Sequence, residues 1–314
     1  MTTEATFDAT GQQLPSVQAR TSAGRATVAR LLRQRSAVVG LIILAFLFTV
    51  AVLADVLATH DPIRPLIGIE PGVRPRQTPC IHILGCPADQ PEHYFGLDGN
   101  VRDFYSRVVH GARISLSVGF VVVGWSIVAG MLIGAVAGYL GGWLDNILMR
   151  LMDMLLAFPA LLLAIVVITV LGANLFNAML AVGIVSVPIY ARVMRSSVLS
   201  VREQDYVTAA RALGDSQWSI LARRVIPNAI TPIIVQGTLG VGAAVLEIAA
   251  LSFIGLAAQA PQPEWGSMIG IERNQMFTSP FLIVIPGIAL TLTVLGFNLL
   301  GDGLRDAFDP RLAR

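Results

Sequence analysis

The chain has 314 residues, 54% hydrophobic and 13% charged, with a formal net charge of +2; an ordinary soluble domain carries about 25% charged residues, so this composition excludes one and points to the membrane. All 22 positive charges are arginine, because no lysine occurs. Whatever coding bias removed lysine, its absence excludes a phosphate-gripping G-x-x-x-x-G-K-[ST] loop and Schiff-base chemistry.

A helical crossing needs about 20 mostly apolar residues. The uncharged runs predict six crossings, at 37–58, 114–137, 149–171, 174–192, 230–256 and 281–301. The run from Met154 to Ala191 is too long for one crossing, and Gly172-Ala173-Asn174 supplies turn chemistry that divides it. The tail 1–36 carries Arg20, Arg25, Arg30, Arg33 and Arg35, which suits a cytoplasmic segment and not a cleaved signal peptide. Six crossings return the tail 302–314 to the same side. Inside segments then hold fifteen arginines and outside segments seven.

The segment 59–113 is expected outside. It is rich in Pro and Gly and holds all four histidines, His60, His82, His93 and His110. It also holds both cysteines. An oxidising compartment favours a Cys80–Cys86 disulfide; the alternatives are free thiols, or a metal or haem site from Cys80, His82, Cys86 and His93. C-x-H-x-x-x-C is not a standard metal signature, and no metal is assigned.

Within the core 114–301, Gly130, Gly134, Gly138 and Gly142 recur every fourth residue, a ridge suited to close helix packing. Pro159 and Pro188 are expected to bend the third and fourth crossings and shape a path. The inner loop 193–229 is the most informative segment. Tyr206, Ala209, Ala210 and Leu213 share one helical face, with Arg202, Glu203, Asp205 and Arg211 off it. Gly214 suits a left-handed helix stop, and Asp215 is expected to cap a second helix. In that helix Trp218, Leu221 and Val225 form a stripe that Pro227 ends. By periodicity alone this is an amphipathic pair lying on the membrane or on its own bundle. Glu247 lies deep in the fifth crossing, as a path element, a subunit contact or an outer-boundary residue; Asp55 reads as a boundary residue. No nucleophile, base and orienting group can be assembled, so the chain is read as a non-enzyme.

Tyr206-Val207-Thr208-Ala209-Ala210-Arg211-Ala212-Leu213-Gly214, continuing to Ile226-Pro227-Asn228, resembles the E-A-A-x-x-x-G…I-x-L-P loop of permeases of ATP-binding-cassette (ABC) importers. The resemblance is closer to the dipeptide, oligopeptide and nickel branch. Gly96-Leu97-Asp98-Gly99-Asn100-Val101-Arg102-Asp103, Gly138-Tyr139-Leu140-Gly141-Gly142-Trp143-Leu144-Asp145, Leu251-Ser252-Phe253-Ile254-Gly255-Leu256 and Asn298-Leu299-Leu300-Gly301-Asp302, with Asp309-Pro310-Arg311, carry it along the chain. The last block and the long outer loop favour the C-type subunit. The resemblance implies an all-α, type I importer-like bundle of six transmembrane helices in a bacterial cytoplasmic membrane. It also implies a dipeptide or oligopeptide permease, paired with a homologous second permease, two cytoplasmic ATPase domains and an extracytoplasmic solute-binding protein. ATP and Mg would be bound on the ATPase chains, and no cofactor on this one. Nickel, haem or glutathione are alternative cargoes, and an ion-coupled secondary carrier is the rival reading. The short inner helix would dock on the ATPase through Arg202, Glu203, Asp205, Tyr206, Thr208, Ala209, Ala210, Arg211, Gly214 and Pro227. Two positions depart from the family pattern: Thr208 stands where the family has Glu, and Arg224 stands at the first apolar position of I-x-L-P.

Overall fold

The computed structural model describes residues 28–87 and 89–308. Arg20, Arg25, Asp309, Pro310, Arg311 and Arg314 lie outside the described residues. The long helices are α1 (Arg35–Val52), α2 (Phe104–Leu140), α3 (Gly142–Leu156), α4 (Ala160–Leu171) and α5 (Leu175–Val201). Two short ones follow, α6 (Asp205–Ala212) and α7 (Gln217–Ile220). The chain then forms α8 (Thr231–Phe253), α9 (Trp265–Glu272) and α10 (Phe281–Phe308).

Five of these helices are long and apolar enough to cross a membrane, and α3 with α4 form a sixth candidate bent by 93°. Packing decides that this broken pair traverses the bundle. Ser126 Oγ of α2 donates to the Gly183 carbonyl of α5 at 3.1 Å, and Gly138 of α2 lies against Arg195 and Val198. Residue numbers rise together, so α2 and α5 run parallel. The chain between them must therefore return through the full depth, and α3–α4 is that return. Gly119 faces Val241 and Val245 while Gly237 faces Ile127, so α8 is antiparallel to α2. Gly301 lies against Leu239 and Gly242 against Phe297, while Gly303 lies against Ala37 and Gly296 against Leu44, so α10 is antiparallel to both α8 and α1. Six traverses result, and residues 37 and 303 lie at one end of the bundle.

Several boundaries differ from the sequence expectation. α2 begins at Phe104 and not near 114, because the charges that interrupt the apolar run have partners: Arg107 Nε lies 3.4 Å from Asp98, and Arg113 reaches Asp55 at 3.0 Å. Its 37 residues span about 55 Å at 1.5 Å per residue, more than the roughly 30 Å hydrocarbon core, so α2 projects beyond the membrane. Asp103 caps it, accepting from the Ser106 backbone N–H at 2.8 Å. The third crossing is not one bent helix over 149–171; it starts at Gly142 and breaks completely at Ala157–Pro159. α5 continues past Arg192 to Val201 because Arg195 forks onto Asp145 through two 2.6 Å bonds and Arg192 meets Asp153 at 2.9 Å. α10 likewise continues past Gly301.

The glycine ridge also needs correction at one end. Gly130, Gly134 and Gly138 face α5, and a methyl group at Gly130 would sit 2.9 Å from the Val187 carbonyl. Gly142 meets nothing there. It and Gly141 have positive φ, 65° and 67°, and make the corner between α2 and α3.

Candidate functional site

The end of the bundle that holds residues 37 and 303 carries the helix pair read from sequence. α6 begins with Asp205 in its first turn, where a carboxylate favours the helix dipole. It ends as a Schellman turn: Asp215 N–H donates to the Ala210 carbonyl and Gly214 N–H to that of Arg211, with Gly214 at φ 85°. The cap of α7 is Ser216, whose side chain accepts from Ser219 N–H. Asp215, expected in that role, instead pairs with Arg224 at 3.1 Å. Arg224 thereby points outward, and the departure from an apolar residue costs the packing nothing. Pro227 does not end the second helix. A π-helical turn over Leu221–Val225 widens the spiral ahead of the proline, and the helix resumes at Ile226–Ala229.

The faces of this pair are rotated from the sequence expectation. Val207, Ala210, Ile220, Leu221 and Val225 are buried, and with Met194, Val198 and Ala135 they form a small core under the ends of α5 and α2. Of the expected α6 stripe only Ala210 is inside; Tyr206 is 41% exposed, Ala209 is exposed and Leu213 is 86% exposed. Trp218 is 63% exposed, apart from buried Leu221 and Val225. This end thus exposes three large apolar side chains, Tyr206, Leu213 and Trp218, on a packed base. Glu203, Asp205, Thr208, Arg211, Gly214 and Pro227 are exposed as well. Arg202 is not a free charge. Its guanidinium donates to the Gly138 carbonyl at 2.7 Å and to Glu203 at 3.0 Å.

Glu247 is half-buried in α8, on a face with Gln236, Gly240 and Ala243. It lies six residues before the helix end at Phe253, about 9 Å from that end. Pro188 is buried inside α5, and Pro159 sits exposed at the α3–α4 break.

At the opposite end, Cys80 and Cys86 are joined in a disulfide with Cα atoms 5.4 Å apart, which removes both thiolates from any metal set. Cys80 exchanges two 2.9 Å backbone hydrogen bonds with His93. Arg76 reaches Glu272 of α9 at 2.8 Å, and Gly99 N–H donates to the same carboxylate, so the long loop 59–103 is fastened to the core. Burial pulls the Asp103 carboxyl upward, but hydrogen bonds from His93 and Ser106 outweigh it and hold it below the ordinary range. Burial pushes the Glu264 carboxyl up against the pull of hydrogen bonds from Gly266 and Ser267 N–H. The sequence reading missed Asp98, Glu264 and Glu272 as organising carboxylates. The dense charge of Asp98-Gly99-Asn100-Val101-Arg102-Asp103 was the signal available.

Residues 130–314 match the model of the binding-protein-dependent transport system inner membrane component, and residues 22–69 match the N-terminal TM domain of oligopeptide transport permease C. The chain is 42% identical to the dipeptide transport system permease protein DppC of Alkalihalophilus pseudofirmus, over 90% of this chain and 88% of that one. It is 38% identical to DppC of Haemophilus influenzae, over 89% and 92%. The glutathione transport system permease protein GsiD of Pectobacterium atrosepticum is 43% identical, over 70% and 73%. In fold, the chain resembles the MetNI methionine ABC transporter in its inward facing conformation, with a TM-score of 0.54 at 18% identity, covering 65% of this chain and 97% of that chain.

Proposed function

This chain belongs to the family of binding-protein-dependent transport system inner membrane components, and from that premise we propose how it works and what it carries. It is a multi-pass permease subunit of an ABC importer. The cargo proposed is a dipeptide or short oligopeptide. That choice is supported by the dipeptide permeases matching 90% and 89% of the chain, against 70% for the glutathione permease. The proposed assembly holds a homologous second permease, two cytoplasmic ATPase domains carrying ATP and Mg, and an extracytoplasmic solute-binding protein. This chain itself carries no catalytic chemistry in that scheme. Both tails are cytoplasmic, as the arginine distribution favours.

The observation that carries the mechanism is the exposure of Tyr206, Leu213 and Trp218 on a packed base. A partner that covers Leu213 and Trp218 gains roughly 1.5–3 kcal/mol for each large side chain fully removed from water. Because Val207, Ala210, Ile220 and Val225 lock the pair to α2 and α5, a push on the pair moves the ends of two crossings together. Closure of the ATPases would so be converted into alternating access. Glu247, Pro159 and Pro188 are assigned to the path or to the contact with the second permease.

Proteoliposomes containing the complete complex, ATP inside and binding protein outside, test this with labelled dipeptide and labelled glutathione. ATP-dependent dipeptide accumulation is expected. Accumulation of glutathione alone would overturn the cargo, and transport by this chain without partners would overturn the importer reading.

A further inference from the structure

The outer loop brings together four side chains that the sequence leaves far apart. His60 and His93 have ring centroids 5.3 Å apart. On one side, Glu70 faces both rings: Oε1 lies 2.9 Å from His60 Nε2 and Oε2 lies 3.3 Å from His93 Nε2. On the other, Asp103 Oδ1 lies 3.0 Å from His93 Nδ1 and 3.8 Å from His60 Nδ1. His93 and Asp103 are fully buried, and His93 Nε2 and Glu70 Oε2 are buried without a hydrogen-bond partner.

Without a cation, His93 Nδ1–H donates to Asp103 Oδ1 and His60 Nδ1 meets the Thr59 hydroxyl at 2.9 Å, so His93 Nε2 and Glu70 Oε2 are left facing each other as two buried acceptors. A cation held by the two Nδ1 atoms and Asp103 Oδ1 replaces the Thr59 contact and moves the His93 proton to Nε2, where the Glu70 carboxylate accepts it. Asp103 Oδ2 is occupied as the α2 cap, accepting from Ser106 N–H at 2.8 Å, which leaves Oδ1 for that cation. A tetrahedral zinc bound at about 2.0–2.2 Å separates its ligands by roughly 3.4 Å. The separations of 3.0 and 3.8 Å bracket that value. The Glu70–imidazole pairs match the carboxylate–histidine–metal arrangement that fixes a ligand's tautomer.

We infer that His60, His93 and Asp103 form a binding site for a zinc-like divalent cation on the outer face, with Glu70 as the positioning carboxylate behind both imidazoles. His60, partly exposed, is the side from which the ion arrives and where water completes its coordination. Bound there, the ion joins the loop after α1, the His93 segment and the N-terminus of α2.

The test uses the full-length protein in its complex, stripped with a chelator and then titrated with zinc(II) in competition with a chromophoric chelator. One zinc per chain is expected, with X-ray absorption showing nitrogen and oxygen neighbours at about 2.0–2.1 Å. Glu70→Gln should weaken affinity by about 10–100-fold as an outer partner, His60→Ala by more, and Cys86→Ser not at all. Unchanged co-purification with the partner subunits shows that each variant is folded. Failure of the folded wild type to retain stoichiometric zinc, or equal affinity in wild type, His60→Ala and Asp103→Asn, would overturn the site and leave a histidine–carboxylate ion pair in its place.

Discussion

The guanidinium of Arg202 donates a 2.7 Å hydrogen bond to the carbonyl oxygen of Gly138, so the last turn of α2 and the C-terminal end of α5, from which the helix pair continues, form one mechanical piece. A charged donor capping a helix C-terminus satisfies an otherwise orphaned carbonyl and is worth about 1.5–3 kcal/mol. Arg202→Leu is expected to leave the complex assembled and its ATPase active while dipeptide uptake falls several-fold. Parallel uptake and ATP-hydrolysis assays on the variant complex check this.

Gly214 holds the turn between α6 and α7 at φ 85°, with open space where a side chain would lie. Replacement therefore costs backbone strain alone, about 1–2 kcal/mol for an ordinary residue and less for Asn, which adopts this region more readily. Gly214→Val should reduce coupled uptake strongly and Gly214→Asn mildly, at equal complex yield. Equal uptake in the two would show that the turn geometry does not matter.

The Cys80–Cys86 disulfide closes a short loop of the outer face, a constraint on the unfolded chain worth about 2 kcal/mol. Cys86→Ser should hasten protease cleavage within residues 80–93 and leave the ratio of uptake to ATP hydrolysis unchanged. Limited proteolysis and the transport assay measure both.

Burial raises the Glu264 carboxyl above its ordinary value. Its neutral form fits the fold, so its contribution to stability is fully present below the unfolded value of about 4.3 and is lost as pH rises through the folded value. Glu264→Gln removes that titration. Its melting temperature relative to wild type should therefore move upward as pH is raised from 4 to 8, measured by thermal unfolding of the purified complex; a difference independent of pH would contradict the assignment.

The crossings and the inner loop were legible because long uncharged runs and a glycine between amphipathic stretches are local signals. The start of α2 was not, since Arg107 and Arg113 look like helix ends until Asp98 and Asp55 are folded against them. Periodicity also misjudged α6, which has two apolar faces. Tyr206, Ala209 and Leu213 fit a buried stripe as well as Val207 and Ala210 do, and only the packing of Met194 and Val198 decides between them. The cap went to Ser216 because Arg224 holds Asp215. The outer cluster of His60, Glu70, His93 and Asp103 was beyond any local pattern, being assembled from three separate segments by the Cys80–His93 pairing and the α2 cap.

The central claim is that the helix pair exposing Tyr206, Leu213 and Trp218 carries the motion of the ATPases into the bundle. Leu213, 86% exposed in the isolated chain, contributes almost nothing to this chain's own packing, so Leu213→Glu isolates the contact. The decisive measurement is the number of dipeptides imported per ATP hydrolysed in proteoliposomes. About a tenfold loss, equivalent to about 1.4 kcal/mol of contact energy, is expected with the fold intact; a wild-type ratio at wild-type uptake would contradict the claim.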